Sequence, residues 1–199
     1  MELDLVEEIV PLPERELSIL RPRSSEALLD EEAFAADEFM PYWAELWPAG
    51  LALAHALPDD LAGLRVVELG CGLGVPSLVA AARGAEVTAV DWAADAVALL
   101  RENAARNALH LDVVHADWRG FDGRFDLALA ADVLYEERNV DPLVDLLSRI
   151  APRSLVGLAG RPYEQGFLER VRRVARVGEE GRVARIEADE RGQGRPARE

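Results

Sequence analysis

The chain contains no lysine: all 22 of its basic residues are arginine. Set beside its abundant alanine, this reads as a GC-rich coding bias. There is one cysteine, Cys71, so no disulfide framework can staple the fold. No apolar run reaches the length of a membrane span. The opening "MELDLVEEIV" is acidic where a signal peptide would be basic. No internal repeat and no clear domain boundary interrupt the 199 residues, which suffice for one domain with a substantial core. The expectation is a soluble, cytoplasmic protein with no membrane contact.

Positive charge is scarce as well. The formal net charge is -15, and it is concentrated at the front. Residues 1 to 60 hold 15 Asp or Glu against 3 Arg, while residues 151 to 199 hold 8 against 11. Such a front half repels phosphates, which argues against nucleic acid. It favours cationic partners, although solubility alone would also account for it.

From residue 64 apolar strands alternate with helical stretches. "LRVVEL" (64–69), "EVTAVD" (86–91), "LDVVHA" (111–116), "FDLALAA" (125–131) and "RSLVGLAG" (153–160) read as strands. "VPSLVAAAR" (75–83), "AADAVALLRENAARN" (93–107) and "DPLVDLLSRI" (141–150) read as helices, with apolar residues at helical spacing. This alternation predicts an α/β fold with a mainly parallel sheet covered on both faces. The end of the chain departs from it. "VRRVARVG" and "RVARIEAD" flank "GEEG" (178–181) and predict an antiparallel hairpin. Residues 1 to 60 predict an acidic, helical extension covering the site, with helices at 30–39 and 41–57. The second is kinked near Pro48 or restarts with Pro48 in its first turn. Residues 61 to 187 form the core, and 188 to 199 a loose tail.

The strongest motif is "VVELGCGLGVPS". Glu68 closes a strand, and Gly70, Gly72 and Gly74 fill the turn into a helix. Glycines there permit close backbone approach to a ligand. A dinucleotide site wants G-x-G-x-x-G; here the pattern is E-x-G-x-G-x-G. It resembles motif I of the class I, seven-strand S-adenosylmethionine-dependent methyltransferases. The resemblance covers about residues 40 to 187. It implies a Rossmann-like, doubly wound sheet of seven strands with an antiparallel C-terminal hairpin, and S-adenosyl-L-methionine as cofactor. It further implies that the glycine loop wraps the cofactor's amino-acid and ribose part and that Glu68 helps hold its positive end. Asp91 would accept from ribose hydroxyls, and Trp92 would offer a face to adenine. Asp117 would take the exocyclic amine, with Trp118 beside the ring. Ala131 belongs with the same cofactor group. No metal is expected.

"AADVLYEE" raises a separate question, because a buried apolar run ends on Asp132 with Tyr135 three residues on. Asp is common where strands end. In an open parallel sheet, however, ligands sit beyond the strand ends where strand order reverses. In the family that point lies between strands one and four, so Asp132 should stand across from Gly70. "DVLY" resembles the D-x-x-Y motif of a subgroup containing protein-lysine methyltransferases and nicotinamide N-methyltransferase-like enzymes. "YWAELWPAGLALA" (42–54) resembles the segment preceding motif I there, with Trp47 the residue placed near the cofactor and Trp43 the reserve. The segment does not match the N-P-P-Y motif of amino-adenine and glutamine methylators.

The resemblance therefore implies an N-methyltransferase acting on a lysine side chain of a protein. Asp132 would hold and orient the cationic nitrogen, and Tyr135 would assist through its hydroxyl or ring. The alternatives are a small-molecule N-methyltransferase of nicotinamide or amine type, and a non-catalytic module binding cofactor or protein. An enzyme acting on lysine could not modify its own side chains here. Substrate choice is expected from residues 1 to 45 and from the loops after strands four and five. The three histidines have no evident catalytic partner.

Overall fold

The computed structural model describes residues 3–28 and 41–188. The expected helix at 30–39 and the tail from Arg191 lie outside these residues. The chain opens with an antiparallel hairpin of β1 (Leu5–Pro11) and β2 (Glu16–Pro22). Residues 5–22 are therefore not helical, which corrects the sequence reading. Leu17 and Ile19, both fully buried, are two residues apart. That is the period of a strand, not of a helix.

The central sheet contains β3 (Arg65–Leu69), β4 (Glu86–Asp91), β5 (Asp112–His115), β6 (Leu127–Ala131), β7 (Arg153–Gly157), β8 (Ala175–Glu180) and β9 (Val183–Ala188). Its strand order is β5-β4-β3-β6-β7-β9-β8. The strands from β5 to β7 run parallel, and β9 is antiparallel to both β7 and β8. This is the expected seven-stranded, doubly wound sheet. The terminal turn differs from expectation: β8 continues through Gly178 to Glu180, and the chain reverses at Gly181, which adopts φ +58°. Of the two glycines flanking the glutamate pair, only Gly181 takes a backbone that disfavours other residues. Ala188, assigned to the tail by the sequence reading, still belongs to β9.

The helices are α1 (Pro48–Ala56), α2 (Val75–Ala82), α3 (Ala94–Arg106), α4 (Val140–Ile150) and α5 (Glu164–Val171). Pro48 opens α1, where its missing N–H costs nothing. Residues of β3 alternate between two cores. Val66 packs with Leu53, Leu78 and Leu100 of α1, α2 and α3. Val67 and Leu69 pack with Leu143, Leu146 and Phe167 of α4 and α5. Two buried faces explain the nearly uninterrupted apolar strands.

The hairpin docks on α3 through two asparagines one turn apart. Asn103 accepts from the Leu20 N–H at 2.7 Å and donates to the Leu20 carbonyl at 3.0 Å. Asn107 does the same for Ser18, at 2.9 and 2.8 Å. The side-chain amides thus satisfy the open edge of β2 as a neighbouring strand would. Asn103→Ala leaves two backbone groups of Leu20 without partners. Chemical denaturation should register a loss of about 1–3 kcal/mol, with ligand affinity at the sheet's crevice unchanged.

Candidate active site

Strand order reverses between β3 and β6, so the loops after these strands diverge and leave a crevice. A cavity of about 280 Å³ lies there, and all twelve site residues named from the sequence line it. Its floor is the turn from β3 to α2. Gly70, Gly72 and Gly74 all have positive φ. At Gly74 the requirement is also steric, since a Cβ there would stand 2.4 Å from Leu100 Cδ1.

Two carboxylates brace this turn. Glu68 is 1% exposed, and its Oε2 accepts from the Ser77 N–H at 2.8 Å and from the Ser77 hydroxyl. It thereby satisfies an N–H of the first turn of α2, where a helix leaves its donors open. Asp91 Oδ2 accepts from Gly72 N–H at 2.8 Å and Oδ1 from Ala93 N–H at 2.9 Å. Burial pushes the Glu68 carboxyl up to about 8, against the Ser77 hydrogen bonds and with help from the nearby Asp91 charge. Burial also raises Asp91, against the N–H groups it binds. The Cys71 thiol is pushed up by burial and by both acids, which suits a packing residue and not a nucleophile.

The residues expected at adenine divide into two kinds. Trp92 is 44% exposed and presents its ring at the cavity. Trp118 is buried in the second core, so it is chiefly a packing residue with an edge at the cavity. Asp117 does not offer an open carboxylate. It caps a single 3-10 turn through Arg119 N–H and pairs with the Arg119 guanidinium at 2.8 Å. That pairing, first of all the hydrogen bond from Arg119, holds Asp117 below the usual carboxylate range.

The opposite wall is aromatic. Trp47 caps α1, and its Nε1–H donates to the Tyr42 carbonyl at 2.6 Å. The Tyr42 ring lies 6.2 Å from Trp47 and 4.9 Å from Tyr135. Trp43, the reserve, packs against the first core, and its backbone crowds Gly72. The N-terminal segment thus reaches the site through residues 42–51, whereas the β1–β2 hairpin supplies no lining residue. Burial foremost, with Glu136 and Asp91, raises the Tyr135 phenol, so it stays protonated at neutral pH.

Asp132 stands at the end of β6 with φ +53°, a left-handed conformation that Asp tolerates better than most residues. Its N–H donates to the Gly157 carbonyl. Val133 and Leu134 turn into the second core, leaving Asp132 and Tyr135 at the cavity. The carboxylate was expected to be open to a substrate; instead it is occupied. Arg161 Nε and Nη2 donate to Asp132 Oδ1 and Oδ2, each at 2.8 Å. The same guanidinium lies over the Trp47 ring, 5.5 Å from its centroid. Sequence reasoning missed Arg161. The pairing follows from β6 and β7 being neighbours in the sheet, and no local pattern signals it.

Glu68 gives a test of this electrostatic reading. A carboxyl whose folded pKa is raised contributes stability that is complete below about 4.5 and is lost as pH rises through about 8. Glu68→Gln removes that loss. Denaturation of the free protein at pH 5 and pH 9 should find the variant gaining on the parent as pH rises, by an amount on the order of a few kcal/mol. A constant difference would contradict the assignment.

Residues 66–153 match the family described as Methyltransferase domain. Electron transfer flavoprotein beta subunit lysine methyltransferase of Rattus norvegicus is 32% identical over 164 residues, covering 77% of this chain and 64% of that protein. EEF1A lysine methyltransferase 3 of Mus musculus is 30% identical over 129 residues, covering 59% of this chain and 55% of that protein. The chain thus spans less than two thirds of the length of these relatives. Among solved structures, a 16S rRNA methyltransferase of T. thermophilus superposes with a TM-score of 0.67 at 20% identity, covering 93% of this chain and 50% of that one. This last likeness speaks for the fold alone. Strand order, the acidic glycine turn and these likenesses agree on a methyltransferase domain over residues 66–153.

Proposed function

We propose that the chain is an S-adenosylmethionine-dependent N-methyltransferase that acts on a lysine side chain of a protein. The observation that carries this reading is the meeting, in one cavity, of the Glu68–Asp91 turn with Asp132 and Tyr135. The names of the rat and mouse relatives support the choice of a protein lysine.

The residues present fit the cofactor. Glu68 and Asp91 are buried carboxylates that form no ion pair among the described residues, and S-adenosylmethionine brings positive charge. The glycines of the positive-φ turn keep side chains off the floor, and the half-exposed Trp92 lines the same cavity. When bound, the cofactor supplies an electrophilic methyl group on a sulfonium. The protein's part is alignment. Asp132 draws in and orients the lysine nitrogen, and the rings of Tyr42, Trp47 and Tyr135 wall it from water. Attack requires the neutral amine, while a carboxylate stabilises the ammonium. Desolvation by these rings and a nearby sulfonium charge oppose the carboxylate, so the proton leaves to solvent before transfer. Tyr135, protonated at neutral pH, serves as a hydrogen-bond donor or a ring facing a cation.

Incubation with labelled cofactor and a lysate depleted of existing methylation should label protein lysines. Label confined to small molecules would favour the small-molecule alternative. These 199 residues contain no lysine to add background. Asp132→Asn should abolish labelling with S-adenosylhomocysteine affinity within about threefold of the parent; a large loss of that affinity would mean that Asp132 serves the cofactor. Cofactor charge should also draw Glu68 back toward ionisation. Calorimetry at pH 7 in buffers of different ionisation heat should detect proton release on S-adenosylmethionine binding, and less of it in Glu68→Gln.

A further inference from the structure

The Asp132–Arg161 pair is the feature that the proposed reaction does not use. Asp132 is the group assigned to a substrate cation, yet both of its oxygens already hold one. The arrangement has the parts of a cation-binding site: a bidentate contact, a carboxylate only 4% exposed at its side chain, and an aromatic face, Trp47, beneath the guanidinium. Arg161 itself is less enclosed, at 31%. It sits in the loop after β7, just past Gly160. That loop is anchored by Glu164, which accepts from Ala159 N–H at 2.6 Å and from Gly160 N–H at 3.0 Å. A fixed base and a partly exposed tip let the side chain swing on its own bonds without moving the sheet.

We infer that Arg161 is an internal stand-in for the substrate's cation, holding Asp132 in the free enzyme and leaving it when the lysine nitrogen arrives. This rests on the lysine-methylation reading of the site. The physical reason for such a device is the cost of an unpaired buried carboxylate. Asp132 needs a partner at every stage, and exchanging one cation for another avoids exposing the charge alone. The exchange also makes Arg161 a specificity residue. A ligand enters only if it replaces both the charge and the contact with Trp47, so neutral amides and alcohols are refused.

Two variants test this. In Arg161→Ala the competitor is gone. With S-adenosylhomocysteine bound, n-butylammonium, a lysine side-chain mimic, should bind at least about tenfold tighter than to the parent, as when a competent state populated about a tenth of the time becomes the only one. Equal affinity in the two proteins would overturn the inference. Arg161→Lys keeps the positive charge and so guards against misfolding. It places the chain's sole lysine amine against Asp132. Given S-adenosylmethionine, that amine should be methylated in its own chain: the nitrogen lone pair forms the N–C bond, the S–C bond breaks to leave S-adenosylhomocysteine, and a proton passes to water. Peptide mass spectrometry should find added methyl groups at position 161. An unmodified position 161 in a variant that still methylates lysate proteins would overturn the stand-in role while leaving the proposed function intact. Failure of the parent to label any protein would instead sink the functional reading itself.

Discussion

Two buried carboxylates hold the turn on which the rest of the site depends. Glu68 ties β3 to the first turn of α2, and Asp91 ties β4 to the glycine loop between them. Among the described residues neither acid forms an ion pair, and burial raises both, at Asp91 against the pull of nearby His115. The protein accepts that cost at the point where the strand order reverses, and nowhere among the described residues are two other acids so deeply buried and so close. A site that is electrostatically incomplete is poised to take a positively charged ligand.

Across the cavity the balance is the opposite. Asp132 is also buried but is neutralised by Arg161. The two acids that brace the turn form no ion pair among the described residues, whereas Asp132 already has one. The aromatic arm of Tyr42 and Trp47 connects the two walls, since Trp47 both lines the cavity and carries the Arg161 guanidinium on its face. In the proposed reaction the cofactor and the substrate are thereby recognised by separate carboxylates, and the Tyr135 ring lies against that of Tyr42 in the arm.

The sheet was legible because its strands are buried on both faces and its turns carry glycine or an acid at the strand's end. Glu68, Asp91 and Asp132 could be named because each stands at or next to the end of an apolar strand, at positions where the resembled motifs carry an acid. The hairpin at 5–22 was not legible: its apolar alternation is interrupted by acidic residues, and its open edge is satisfied by Asn103 and Asn107, more than eighty residues away. Arg161 was hidden for the same reason. Its partner is 29 residues distant, and the contact exists only because β7 lies beside β6. Asp117 was found, but its pairing with Arg119 two residues later was not foreseen. Local pattern reveals which side chains reach the crevice. It does not reveal which of them already have partners there.

The central claim is that cofactor and substrate nitrogen meet between the Glu68–Asp91 turn and Asp132. A crystal structure with S-adenosylhomocysteine and n-butylammonium measures this directly. The account predicts the nucleoside beside Asp91 and Trp92, the ammonium on Asp132, and the Arg161 side chain turned away. Ligand density outside this cavity, or an ammonium bound elsewhere with Arg161 still on Asp132, would contradict it.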